Sequence, residues 1–230
     1  MSIWLYICII IALTGFLAYG SMSISSNYYC RVLCHVKTDE KKIAVTFDDG
    51  PDNAVTPVIL EILKRHNIRA AFFAIGQKAE ENPGLIRKID IEGHVIGSHS
   101  YTHHFWFDLF GSKKMITDLQ KTESVLNQIL NKKIRMFRPP YGVTNPPLAR
   151  VLKKMKYHII GWSLRSKDTV LQRDRLFERL TKRVKPGDII IFHDTKENTP
   201  AVLDKFIIFA KENNFSFERA DRLLKIEPYE

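Results

Sequence analysis

Five short stretches of this 230-residue chain carry side chains able to do chemistry together. They are "TFDDGP" with Asp48 and Asp49, "HSYTHH" with His99 and His103, "RPPYG" with Arg138 and Tyr141, "RSKDT" with Asp168, and "IIFHD" with His193. His99 and His103 are four residues apart, so on a helical turn they share a face and could reach one cation. Imidazole combined with carboxylate suits a borderline divalent metal such as zinc. A carboxylate from the first stretch would complete a three-ligand set with room for water, the arrangement of catalytic rather than structural metals. Each stretch also has a plainer reading on its own. Asp-Gly-Pro-Asp is ordinary turn chemistry, and two histidines at this spacing can simply sit on a surface. Arg138 could be a surface ion-pair partner, Asp168 a helix cap, and His193 a hydrogen-bonded strand-end histidine.

The elements around these stretches bear on the choice. "KIAVTF" is a short apolar run bounded by a turn, as a buried strand should be. Further strands are expected at "IRAAFFAIG", "HVIGSHS", "IRMFRPPYG", "YHIIGWSL", "GDIIIFHD" and "FSFERA", separated by segments with apolar residues at helical spacing. Strands that read as continuous apolar runs and alternate with helices argue for a parallel sheet covered by helices. About seven βα units in this length suit an α/β fold of the small or incomplete β/α-barrel kind, with a doubly wound open sheet as the alternative. In either fold, functional residues collect just past the carboxyl ends of the strands, which is where these five stretches fall.

The whole chain narrows the setting. The formal net charge is +10, yet the first twenty residues carry no charged side chain, so the excess belongs to the rest. Such a balance suits anionic surroundings; the basic residues are scattered rather than clustered with aromatics, so no nucleic-acid groove is indicated. Residues 3–19 are almost wholly apolar, near the lower limit for crossing a hydrocarbon core. Residues 1–20 are therefore expected to be a signal anchor or a signal peptide, 21–40 a linker, and 41–228 the functional domain. Cys30 and Cys34 could pair in an oxidising compartment, although their spacing fits a helical face equally well, and no CxxC pair is present.

In their order and wording, "TFDDGP", "HSYTH", "RPPYG" and "IIFHD" resemble the successive motifs of the polysaccharide deacetylase family, the NodB-homology group of carbohydrate esterase family 4. The resemblance runs over about residues 41–225. It implies a distorted β/α barrel, a divalent metal (zinc, with cobalt or nickel as alternatives), and removal of acetyl groups from N-acetylglucosamine polymers. Carried over position by position, it implies that Asp49, His99 and His103 hold the metal and that Asp48 is the general base. His193 is implied as the general acid, and Arg138 as the group that holds Asp48, with Asp168 pairing in turn with Arg138. The Tyr141 backbone N–H is implied as an oxyanion donor. Pro139, Pro140, Ile191 and Trp162 are expected on the substrate-facing wall. One motif departs from the family's Asp-x-x-Asp-Trp pattern: Arg165 replaces the first aspartate and Thr169 the tryptophan.

The function this implies is N-deacetylation of peptidoglycan or a chitin-like glycan, by a domain outside the cytoplasm and tied to the membrane through its N-terminus. O-deacetylation of an acetylated polysaccharide such as xylan is the second enzymatic reading. A non-catalytic, membrane-tethered glycan binder is the reading from another class, against which the presence of the base, acid and metal ligands argues.

Overall fold

The computed structural model describes residues 3–230; residues 1 and 2 of the expected anchor or signal segment lie outside the described residues. In chain order the elements are α1 (Ile3–Met22), β1 (Lys42–Asp48), α2 (Val55–Arg65), β2 (Ala71–Ala74), α3 (Gly76–Glu81), α4 (Pro83–Ile91) and β3 (Val95–Ser98). There follow α5 (Ser112–Leu130), β4 (Met136–Phe137), α6 (Pro146–Met155), β5 (His158–Ile159) and β6 (Leu164–Arg165). The chain closes with α7 (Arg173–Arg183), β7 (Ile189–His193), α8 (Asn198–Glu212), β8 (Ser216–Phe217) and α9 (Ala220–Leu224).

Seven strands form one parallel sheet in the order β5-β4-β3-β2-β1-β7-β6, curled into a half-barrel, with β8 added beside the start of β1. The barrel expectation holds. Residues 43–48 of β1 are all buried, and Phe47 stacks between Phe72 of β2 and Phe192 of β7. The helices lay apolar stripes on this sheet; in α2 the stripe is Val55, Ile59, Leu60, Ile62 and Leu63. Asn145 caps α6 by accepting the Leu148 N–H, ahead of a proline in the first turn.

Two expectations from the sequence change. "YHIIGWSL" is not one strand: it pairs first with β4 as β5, then leaves and pairs with β7 as β6. The reason lies in a distant segment. Leu33 bridges to Ile160, donating its N–H to the Ile159 carbonyl and accepting from Gly161, so residues 32–35 occupy the gap between the two halves. The approach is close: a Cβ on Gly161 would lie 2.4 Å from the Cys34 sulfur. Residues 21–40 therefore pack on the domain rather than trail from it, with Ile24, Val32 and Cys34 buried. Cys30 and Cys34 are both free thiols.

A charged side chain crosses the concave interior. Arg138, fully buried after β4, lies over the Phe73 ring and donates to Asp48 and Thr46 on β1 and to the Ile160 and Gly161 carbonyls beyond β5. Removing one partner of a buried ion pair leaves the other charge uncompensated, at a cost of about 3–5 kcal/mol. We expect Arg138→Met to lower stability by that order, and addition of Asp48→Asn to recover part of the loss, in chemical unfolding of the detergent-solubilised chain. Equal stability of Arg138→Met and wild type would show that Asp48 does not depend on this guanidinium.

Candidate metal centre and catalytic site

β1 ends by presenting two carboxylates in different directions. Alternation along an extended strand sends Asp48 inward, while Asp49, at φ 74°, turns its side chain toward the loop that follows β3. That loop carries His99 immediately after the strand and His103 four residues later. The two histidines do not share a helix face, as their spacing suggested. The loop is irregular, with left-handed backbone at Ser100 (φ 66°) and His103 (φ 45°), and this bend brings the two rings to 4.8 Å. Asp118 on α5 holds the bend by accepting the Tyr101 and Thr102 amides and the Thr102 hydroxyl.

Asp49 Oδ1 lies 3.4 Å from Nε2 of His99 and 3.4 Å from Nε2 of His103. These separations are long for hydrogen bonds. They match donors sharing one tetrahedral ion, for which ligand distances of 2.0–2.1 Å place neighbouring donor atoms about 3.3–3.4 Å apart. His99 donates its Nδ1–H to the Arg138 carbonyl at 2.8 Å, which fixes the tautomer and leaves Nε2 free as a donor to a metal. Burial presses the His103 pKa down to about 4, so this ring is neutral and its lone pair available. Burial also opposes charging of His99, but Asp48 and Asp49 push it up; a cation at this point would replace the proton they attract. Burial would raise Asp49, yet its contact with His99 and the charges of His99, His193 and His103 hold it below the usual carboxylate range. The donor set therefore fits a divalent metal.

Asp48 faces the same space but is held otherwise. Its Oδ1 accepts from Arg138 Nη1 at 2.6 Å, and its Oδ2 lies 3.8 Å from His99 Nε2. Thr46, two residues earlier, receives a second bond from the same guanidinium nitrogen and passes its own proton to the Ile190 carbonyl.

Asp168 does not pair with Arg138, contrary to expectation. It reaches His193 instead: Oδ1 accepts the Nδ1–H at 2.7 Å, and Oδ2 accepts the His193 amide at 2.7 Å. Thr199 and Ser166 hydroxyls complete its shell. The cause is topological, since Asp168 follows β6, the neighbour of β7, whereas Arg138 spends its bonds on β1 and on the carbonyls after β5. Burial would raise Asp168, but the His193 contact and the Thr199 bond hold it low; burial would lower His193, but Asp168 and then Asp48 and Asp49 push it up.

A cavity of about 240 Å³ joins these groups. Asp48, Asp49, His99, His103 and His193 line it, as do Pro139, Tyr141, Trp162 and Ile191 from the expected wall. Pro140 does not: it is buried inside the turn. Arg165 and Thr169, the two departures from the family pattern, both reach the cavity. Tyr141 adopts φ 58°, and its amide has no protein acceptor among the described residues. A larger open groove of about 770 Å³ runs beside it along the start of α5, but it contains none of the converging acids and imidazoles except the loop's His104 and the structural Asp118.

Several supporting residues went unremarked in the sequence. Asp118 had a signal, an acid on the buried stripe of α5 beside Met115, Leu119 and Thr122. Thr46, the polar residue inside a buried strand, had one too. Ser166 and Thr199 had none, because only the fold brings them to Asp168. Asp194 is fully buried against Gly50; a Cβ on that glycine would overlap its carboxylate, so the turn after Asp49 admits no side chain. Thr56 donates to Asp194, and burial raises its pKa to about 7.

The family model "Polysaccharide deacetylase" matches residues 35–160. The peptidoglycan-N-acetylglucosamine deacetylase PgdA of Listeria monocytogenes is 36% identical over 197 residues, covering 80% of this chain and 39% of the relative, so the chain spans well under half of that protein. A solved peptidoglycan N-acetylglucosamine deacetylase superposes with a TM-score of 0.82 at 28% identity, over 86% of this chain and 95% of the other. A pseudoenzyme of carbohydrate esterase family 4 from Bacillus anthracis also superposes, with a TM-score of 0.79 at 28% identity, over 84% of this chain and 69% of the other. By the extent of its family match, this chain belongs to the polysaccharide deacetylase family.

Proposed function

We propose that the chain is a metal-dependent hydrolase that removes N-acetyl groups from an N-acetylglucosamine-containing glycan of the cell envelope, peptidoglycan above all. The observation that carries this reading is the convergence, in one cavity, of three metal-type donors with a separately held carboxylate and an aspartate-backed histidine. The named activity of the Listeria relative supports the substrate class. We read α1 as a membrane anchor or export signal, with the domain outside the cytoplasm; at 20 residues, mostly apolar, it is long enough to cross a bilayer.

Asp49, His99 and His103 would hold the ion, zinc in our reading with cobalt or nickel as alternatives. When bound, it supplies Lewis acidity to the acetyl carbonyl and to the attacking water. Asp48 takes the proton from that water. Arg138 occupies its Oδ1, so Oδ2 is the oxygen left to act. Tyr141 offers its amide to the oxygen on which charge develops. His193 gives a proton from Nε2 to the departing nitrogen, while Asp168 keeps Nδ1–H in place and sustains the imidazolium. Asp48 and His193 are register partners on adjacent strands, so base and acid border the same volume. Ile191, Trp162 and Pro139 form the apolar side that receives the acetyl methyl.

A strongly backed acid suits an amine leaving group, which departs poorly unless protonated. This favours N-deacetylation over ester cleavage on a substrate such as acetylxylan, and the intact base, acid and donors favour an enzyme over a glycan-binding relic. Acetate release from N-acetylglucosamine oligomers should therefore exceed that from acetylxylan. It should vanish on chelation and return with added zinc. Asp48→Asn should lower the rate by about 10²-fold or more, the usual worth of a general base, with metal content unchanged. An unchanged rate in a purified preparation would sink this mechanism.

The acid makes a separate forecast. Since Asp168 raises the His193 pKa, the protonated acid persists to higher pH than an ordinary histidine, and the rate falls as pH climbs through that raised value. Asp168→Asn removes the charge responsible, so the alkaline limb of kcat/KM should shift to lower pH. A limb that stays in place would rule His193 out as the acid.

A further inference from the structure

The end of α1 is fastened to the rim of the catalytic cavity. The Thr144 N–H donates to the Ser21 carbonyl at 3.0 Å, and the Thr144 hydroxyl donates to the Gly20 carbonyl. Ile24, buried, packs against Gly142 and Gly161; Gly142 lines the cavity and touches Trp162. No spacer intervenes between the helix and these contacts. All of them lie on loops after β4 and β5, on the same face as the donors and the acid. The loop that carries His103 adds a second observation. Phe105, Trp106 and Leu109 project from it 65%, 55% and 70% exposed, and the Asn145 amide ties this loop to the turn beside Thr144 by donating to the Asp108 carbonyl. Lys113 and Lys114 follow at the start of α5.

A 20-residue helix is about 30 Å long, the thickness of the hydrocarbon core, so its last turn lies at the headgroups. Whatever is fastened to that turn lies there too. Exposed aromatic residues beside it match the interfacial belt of membrane proteins, and neighbouring lysines suit anionic headgroups.

We propose that the mouth of the cavity faces the bilayer crossed by α1, so that the N-acetylglucosamine-containing envelope glycan it takes is the form carried on a lipid at the membrane surface. This rests on reading α1 as a retained anchor and the domain as a deacetylase. The experiment uses the full chain in phosphatidylglycerol-containing vesicles and has two readouts. The first is tryptophan quenching by lipids brominated near the headgroup, compared between wild type and Trp106→Phe. A quenched component lost in Trp106→Phe is expected; no such component overturns the proposal. The second is acetate release from an N-acetylglucosamine tetramer linked to a lipid in those vesicles, against the free tetramer at equal bulk concentration. At least about tenfold preference for the linked form is expected from confinement to the surface. Equal turnover overturns the substrate class. No acetate from either form overturns the deacetylase reading, while the quenching still reports which way the cavity faces.

Discussion

Everything at the site hangs on one guanidinium buried in the half-barrel. A charge in such a place costs several kcal/mol in lost hydration unless its hydrogen bonds are met. Arg138 meets them with one carboxylate and one hydroxyl from β1, inside the sheet, and two carbonyls from the segment after β5, at its edge. Its side chain sets which Asp48 oxygen is left available, and its own carbonyl sets the tautomer of His99. Asp48 and His99 thus answer to the same residue, through two different groups on it. The arrangement also explains why the cost is tolerated: the curl of the sheet around the cavity needs a partner for carbonyls that have left the strand ladder, and Arg138 supplies it.

His193 is served by a second and separate support. Asp168, Ser166 and Thr199 stand on the far side of β7 and share no hydrogen bond with the Arg138 cluster. The two supports keep Asp48, the proton acceptor in our proposal, apart from His193, its proton donor. Had Asp168 joined Arg138, that acid would have been left without its backing charge. A superposable pseudoenzyme shows that this fold can persist without catalysis, so the reading of activity has to stand on these side chains rather than on the sheet.

Much of this was legible in the sequence where it depended on local pattern. Apolar runs ended by polar clusters located the strands and, with them, the face on which Asp49, His99, Arg138 and His193 meet. What failed depended on partners far away in the chain. The four-residue spacing of His99 and His103 looks helical, but α5 reaches back through Asp118 to bend that segment into a loop. Strand "YHIIGWSL" breaks because Leu33, more than a hundred residues earlier, takes its place in the ladder. The polar look of residues 21–40 hid three core positions, Ile24, Val32 and Cys34, too widely scattered to form a periodic signal. Asp168 could be placed near the site by its strand, but the choice between Arg138 and His193 needed the strand order.

The adjacency of Asp48 and Asp49 has a mechanical side as well. Two Cα atoms joined by one trans peptide stay about 3.8 Å apart whatever the strand does. Thermal breathing of β1 therefore carries the backbones of Asp48 and Asp49 together as common motion. The β7 ladder, pairing residue for residue up to His193, extends that shared motion to its backbone. His99 and His103 arrive on a different support, the loop after β3, whose bend Asp118 holds.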